Sequence, residues 1–96
     1  MHSFIKDGRI NGTGLQGYIN AYYSQLVDTF GEPNYGPNDN GMDKVTCQWI
    51  LTFENGTVAT IYDWKEMDTP FSEYRWHIGG KSLDALNKVL EAFHGR

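Results

Sequence analysis

The sequence predicts an α+β domain: an antiparallel β-meander with two helices packed on one face, in the order β-α-β-β-β-α. Three stretches carry this expectation. Residues 44–65, KVTCQWILTFENGTVATIYDWK, read as two strands about a turn. Tyr23, Leu26, Val27 and Phe30 fall at i, i+3, i+4 and i+7, one face of a helix. Leu83, Leu86, Val89, Leu90 and Phe93 form a second helical stripe at the end of the chain. Successive strands joined by short connections pair antiparallel, and two one-sided helices can both cover the same sheet face.

Each element has its own signal. Ser3-Phe4-Ile5 reads as a short edge strand and Lys6-Asp7-Gly8-Arg9 as a turn. Leu15 to Ile19 is expected as a strand leading into the first helix, with Asn20 as its N-cap, because an Asn side chain can accept an amide proton from the first turn. Gly31 and Pro33 end that helix. Residues 31–43, GEPNYGPNDNGMD, form a long polar loop carrying Tyr35; it reads as a surface connector or as a lid over a site, since loops of this length are uncommon without a role. Asp39, Asn40, Gly41 and Asp43 lack the frame and closing Glu of a calcium loop. In the hairpin, Val45, Cys47, Trp49, Leu51 and Phe53 alternate with Thr46, Gln48, Ile50 and Thr52, so the first set is expected to face the core. Asn55-Gly56 is expected to form a type I′ turn. Tyr74 to Ile78 makes the third meander strand, Gly79-Gly80 ends it, and Ser82 caps the closing helix. Lys88 and His94 lie towards the end of that helix, where positive charge suits the dipole. The other sheet face, with Thr46, Gln48, Thr52 and some aromatics, is semi-polar and is either solvated or buried in an oligomer.

Composition narrows the class of function. Ninety-six residues make one domain, 1–96, with a core that needs no disulfide. A net charge of −4 and a pI near 5.1 argue against binding duplex nucleic acid, which requires a basic surface. Aromatic residues make up 15% of the chain, so rings either fill the core or face a ligand. The lone Cys47 falls on an apolar strand face and reads as a buried thiol; with no cysteine framework the expected setting is a reducing cytosol. No apolar stretch approaches a signal sequence or a membrane span. The sequons at Asn11 and Asn55 are explained by turn chemistry. No cofactor is expected. No metal is expected either, because no His, Cys, Asp and Glu spacing matches a ligand set.

Two patches are candidates for ligand binding. In Trp76-His77-Ile78-Gly79-Gly80-Lys81-Ser82, a strand ends in two glycines and Lys-Ser opens a helix. Helix amides, Lys81 and the Ser82 hydroxyl could hold an anion where glycine allows close approach; the plain reading is a turn with a capped helix. It is not a Walker A motif, which needs a glycine where Arg75 stands. In Tyr62-Asp63-Trp64-Lys65, the rings could stack a base, Asp63 could accept from an amine or ribose hydroxyl, and Lys65 could meet a phosphate; the plain reading is a strand end completing the core. Antiparallel pairing puts Trp64 nearer Tyr74 and Arg75 than Gly80, so the two patches need not form one pocket within a subunit. As a strand histidine, His77 reads as a hydrogen-bonded structural residue.

Phe30-Gly31-Glu32-Pro33, Lys44-Val45, Trp49, the run Asn55-Gly56-Thr57-Val58-Ala59-Thr60-Ile61-Tyr62-Asp63-Trp64-Lys65 and Trp76-His77-Ile78-Gly79-Gly80 resemble a family of small bacteriophage proteins, over about residues 17–93. The resemblance implies a host-takeover or counter-defence role in the cytoplasm of an infected bacterium. Some small phage proteins of this kind are sponges that sequester cyclic-nucleotide immune signals such as those of CBASS. The first expectation is therefore a non-catalytic binder of a nucleotide second messenger, a homodimer or tetramer, with Tyr62, Trp64 and Trp76 stacking bases and Lys65, Arg75, Lys81 and the Gly79-Gly80 amides holding phosphates. The alternative is a protein-binding inhibitor of a host defence enzyme, such as a CRISPR or restriction component. A nucleotide hydrolase acting through Asp63 and His77 is a third reading.

Overall fold

Alternating large apolar side chains mark one face of a strand at residues 47–53 and again at 74–80, and these strands lie in a single antiparallel sheet. The computed structural model describes residues 4–5, 12–34, 45–66 and 68–95. Their elements are β1 (Phe4–Ile5), β2 (Gly14–Ala21), α1 (Tyr23–Phe30), β3 (Gln48–Phe53), β4 (Val58–Tyr62), β5 (Tyr74–Gly80) and α2 (Leu83–His94). The sheet order is β1-β3-β4-β5-β2. β3, β4 and β5 form the meander, and the short edge strand β1 pairs with β3. β2 lies on the outer side of β5, from Gly14 opposite Gly80 to Ala21 opposite Tyr74. A bulge between Leu15 and Gly17 inserts Gln16, whose side-chain amide donates to the Gly80 carbonyl at 3.1 Å.

Both helices contribute to one core. Trp49, Leu51, Ala59, Ile61, Trp76 and Ile78 project from the sheet to meet Leu26 and Phe30 of α1 and Ala85, Val89, Ala92 and Phe93 of α2. Trp49 and Trp76 are fully buried and meet edge to face, with ring centroids 5.6 Å apart. Each indole N–H has a carbonyl partner: Trp49 donates to Gly31 at 2.8 Å and Trp76 to Ala21 at 2.9 Å. These carbonyls flank α1, so the two tryptophans hold both ends of that helix to the sheet. Losing either indole opens a cavity and strands a carbonyl, a change that costs about 3–5 kcal/mol in comparable cores.

Several local expectations are corrected. Asn20 is not a cap: β2 continues to Ala21 because Asn20 is paired opposite Arg75, and α1 starts after Tyr22, whose N–H donates to the Gln25 side chain at 2.8 Å. The hairpin turn is not type I′. Gly56 has φ +87°, while Asn55 does not share a positive φ. Gly56 N–H donates to the Phe53 carbonyl, and Phe53 N–H donates to the Thr57 carbonyl, both at 2.8 Å. This is a three-residue loop ending in a left-handed glycine, the next commonest hairpin connection. Gly31 has φ +83° and ψ −171°, a conformation that favours glycine but is not the left-handed helical stop expected there. β3 begins at Gln48, so the alternation does not extend back to Val45, which lies outside the core cluster. Leu83 is 61% exposed instead of buried. Ala85 takes its place against the sheet, because a Cβ at Gly80 would collide with the Ala85 Cβ; only small residues permit that approach. Ser82 caps α2 as expected, accepting from Asp84 N–H at 3.3 Å. The suggested turn at 6–9, Tyr35 of the proposed lid and the Asp39–Asp43 stretch lie outside the described residues.

Gly80 and Gly14 sit opposite each other but differ in surroundings, since a Cβ at Gly14 meets nothing within 4 Å. Gly80→Ala should lower unfolding free energy by about 1–3 kcal/mol through overpacking. Gly14→Ala should leave it within about 1 kcal/mol of wild type. Urea denaturation followed by tryptophan fluorescence measures both.

Candidate functional site

Residues directly opposite one another in a sheet share a face. The register therefore assembles a row across four strands: Gln48 opposite Tyr62, Tyr62 opposite His77, and His77 opposite Tyr18. The row occupies the face of the sheet turned away from the helices. Tyr62 stacks on His77 at 5.4 Å, and Tyr18 meets the other side of His77 edge-on at 5.0 Å. Trp64 lies two residues beyond Tyr62, with its ring 6.3 Å from Tyr62 and 6.4 Å from His77. Leu15, Tyr18, Tyr62, Trp64 and His77 line a depression of about 490 Å³, within the range of small-molecule sites. The Arg75 guanidinium sits 4.0 Å from the centre of the Tyr18 ring, a cation held at the rim.

Gly79 keeps a second hollow open. A Cβ there would press on the Thr60 hydroxyl and come within 3.3 Å of the Tyr62 ring. Gly79, Thr60, Gln48, Val45, Thr13, Gly14, Tyr62 and Trp64 line an open hollow of about 180 Å³ beside the larger depression, with Tyr62 and Trp64 common to both.

The polar groups of this face are short of partners. His77 Nδ1 and Gln48 Oε1 are both buried without a hydrogen bond. Burial, and then the nearby Arg75 charge, hold the His77 pKa below 6.5, so its ring is neutral at neutral pH. Burial, and then Tyr18, raise the Tyr62 phenol above 10.0, so it keeps its proton. The site thus presents neutral rings with one cation at the edge. His77 departs from its expected structural role in one respect: it is held by ring packing, with Nδ1 left unbonded.

The structure divides the sequence candidates. Tyr62, Trp64, His77 and Gly79 come together on the open face, with Arg75 beside them. The two patches read separately in the sequence thus meet through His77 and Gly79, although Trp64 N–H also donates to the Tyr74 hydroxyl at 3.2 Å, as the strand pairing required. Trp76 is withdrawn into the core and cannot stack on a ligand. Asp63 is fully buried; its carboxylate accepts from Thr46 N–H at 2.7 Å, the Thr46 hydroxyl at 2.5 Å and Cys47 N–H at 3.3 Å. That bonding closes the chain entering β3 onto the end of β4, and it removes Asp63 from both ligand contact and acid–base partnership with His77. Gly80 faces α2. Lys65, at φ 58°, Lys81 and Ser82 are exposed but line neither hollow. Leu15 and Tyr18 went unrecognised in the sequence, because the bulge between Leu15 and Gly17 that brings them to one face, and the partner strand distant in the chain, leave no local signal.

Cys47 is buried, and its thiol is pushed up to about 12 by burial and then by the Asp63 carboxylate. No group of His, Cys, Asp and Glu suited to a metal ion occurs among the described residues, and none of their helices is long and apolar enough to cross a membrane. No protein-family model, curated protein or solved structure matches the chain.

Removing the Asp63 carboxylate orphans the amides of Thr46 and Cys47 and leaves the Thr46 hydroxyl with Thr69 alone. Asp63→Ala should cost about 2 kcal/mol or more in urea unfolding, and Cys47 should then react with a thiol reagent. In the wild-type fold the thiol should stay unreactive at mildly alkaline pH and titrate fully only after denaturation.

Proposed function

We propose that the open face of the sheet is a non-catalytic binding surface for a small nucleotide ligand. The observation that carries this reading is the row of neutral rings, Tyr18, His77, Tyr62 and Trp64, around a depression with one cation at its rim. Bases stack on such rings whatever their sequence, and Arg75 can meet a phosphate without making the whole surface basic. The net charge of −4 favours a ligand of few phosphates over a long polyanion. A single chain of this size presents a shallow face, so a homo-oligomer that brings two faces together would enclose the ligand better.

Joined to the resemblance to small bacteriophage proteins, this points to a counter-defence protein in the cytoplasm of the infected host. It would sequester a cyclic-nucleotide immune messenger and release it intact. A second reading has its own observation. Leu15, Tyr18 and Trp64 are exposed on one face, and such a patch also fits a host protein, as an inhibitor of a defence enzyme would require.

A thermal-shift and calorimetry panel of cyclic di- and trinucleotides tests the first reading. At least one should bind with unchanged chemical identity after release from denatured protein. Trp64→Ala should weaken it about tenfold or more, the contribution of one stacked base, with folding retained. If no nucleotide binds and a stoichiometric host protein is retained in a pull-down, the inhibitor reading replaces this one.

A further inference from the structure

We infer that Gln48 and the hollow beside Tyr62 form a base-reading subsite, selective for a nucleobase that carries an exocyclic amine. The inference rests on the nucleotide reading of the aromatic face and adds to it what that face cannot supply, discrimination between bases.

Three observations converge on Gln48. It is 5% exposed, and its Oε1 has no hydrogen-bond partner. An unpaired buried amide oxygen is costly, and a natural core seldom retains one without a use. It lines the hollow of about 180 Å³. A cavity of about 150 Å³ admits one benzene ring, so the hollow is scaled to a single heterocycle. Finally, register places Gln48 opposite Tyr62, next to the ring on which a base would lie. The terminal torsion of a Gln side chain is soft, so the amide can turn to present Oε1 to the hollow.

The chemistry of the missing partner follows. Only a ligand donor can relieve Oε1; a ligand carbonyl would meet the amide Nε2 and leave Oε1 unpaired. Adenine, cytosine and guanine each carry an amine that can do so; uracil and hypoxanthine have a carbonyl oxygen at the corresponding ring position of cytosine and adenine. A Gln amide is a recognised partner for an amino-bearing base edge. Gly79 belongs to the same device, since any side chain there would press on Thr60 and Tyr62 and close the hollow. Apolar contact alone would distinguish these bases poorly, because they differ little in size. An acceptor left unpaired in a buried site is a stronger discriminator.

The test compares cyclic dinucleotides that differ only in base, by calorimetry on the full chain. The best of the adenine, guanine and cytosine ligands should bind about tenfold or more tighter than the uracil and hypoxanthine ligands, the effect of one buried hydrogen bond made or lost. Gln48→Met, similar in shape but without the amide, should erase that preference and leave the weaker ligands unchanged. Equal binding of all five by the wild type overturns the subsite while the stacking reading stands; no binding by any overturns both. The wild-type comparison needs no variant, so it decides the matter even if Gln48→Met fails to fold.

Discussion

The edge-to-face pair of Trp49 and Trp76 is the contact on which the rest of the structure depends. Both rings are buried between sheet and helices, and their N–H groups take the carbonyls at the two ends of α1. Few other positions could satisfy two indoles at once, so the pair fixes the placement of α1 and the parity of β3 and β5 together. With Trp49 inward, Gln48 and Ile50 must face the other way. With Trp76 inward, so must Arg75 and His77. A one-residue slip in either strand would bring an indole out and a polar side chain in. The composition of the open face is thus dictated from the covered one.

That open face is where the molecule keeps what its core does not need. Tyr18, Tyr62, His77 and Gln48 form a row only because four strands agree in register. The rings satisfy one another by packing, whereas the buried polar atoms of Gln48 and His77 do not find partners within the fold. A surface built solely for stability would have no reason to hold both. Asp63 shows the contrast: more deeply buried and far more polar, it is bonded by Thr46 and Cys47 and serves the architecture.

How much of this could be read from the chain varies with the range of the determining contact. Strand alternation identified Trp49, Leu51 and Phe53 as core, and helical spacing located both helices, because these depend on neighbours in sequence. The α+β class and the β-α-β-β-β-α order followed. The Asn-Gly pair marked the hairpin but not its turn type, since one further residue changes the loop without changing the signal. Trp76 and Asp63 were read as ligand contacts because their parity depends on where each strand engages the core. Leu83 was read as buried because helical spacing alone does not reveal that Gly80 and Ala85 bring the backbones together. Tyr18 and Leu15 gained significance only once β2 was seen beside β5, a pairing between segments that no local pattern links.

The bulge at Gln16 carries a consequence of a different kind. On an unbroken strand, Leu15 and Tyr18 would point to opposite faces, being an odd number of residues apart. The extra residue reverses that parity, so Leu15 opposes Gly79 and Tyr18 opposes His77 on the same side. The reach of the aromatic depression is therefore governed by chain length as well as by side-chain identity. Insertion or deletion of one residue in the outer strand would exchange which side chains border the open face while leaving the central meander intact. Such a change offers a related chain a single-step route to a differently lined face, one that comparison of substitutions alone would miss.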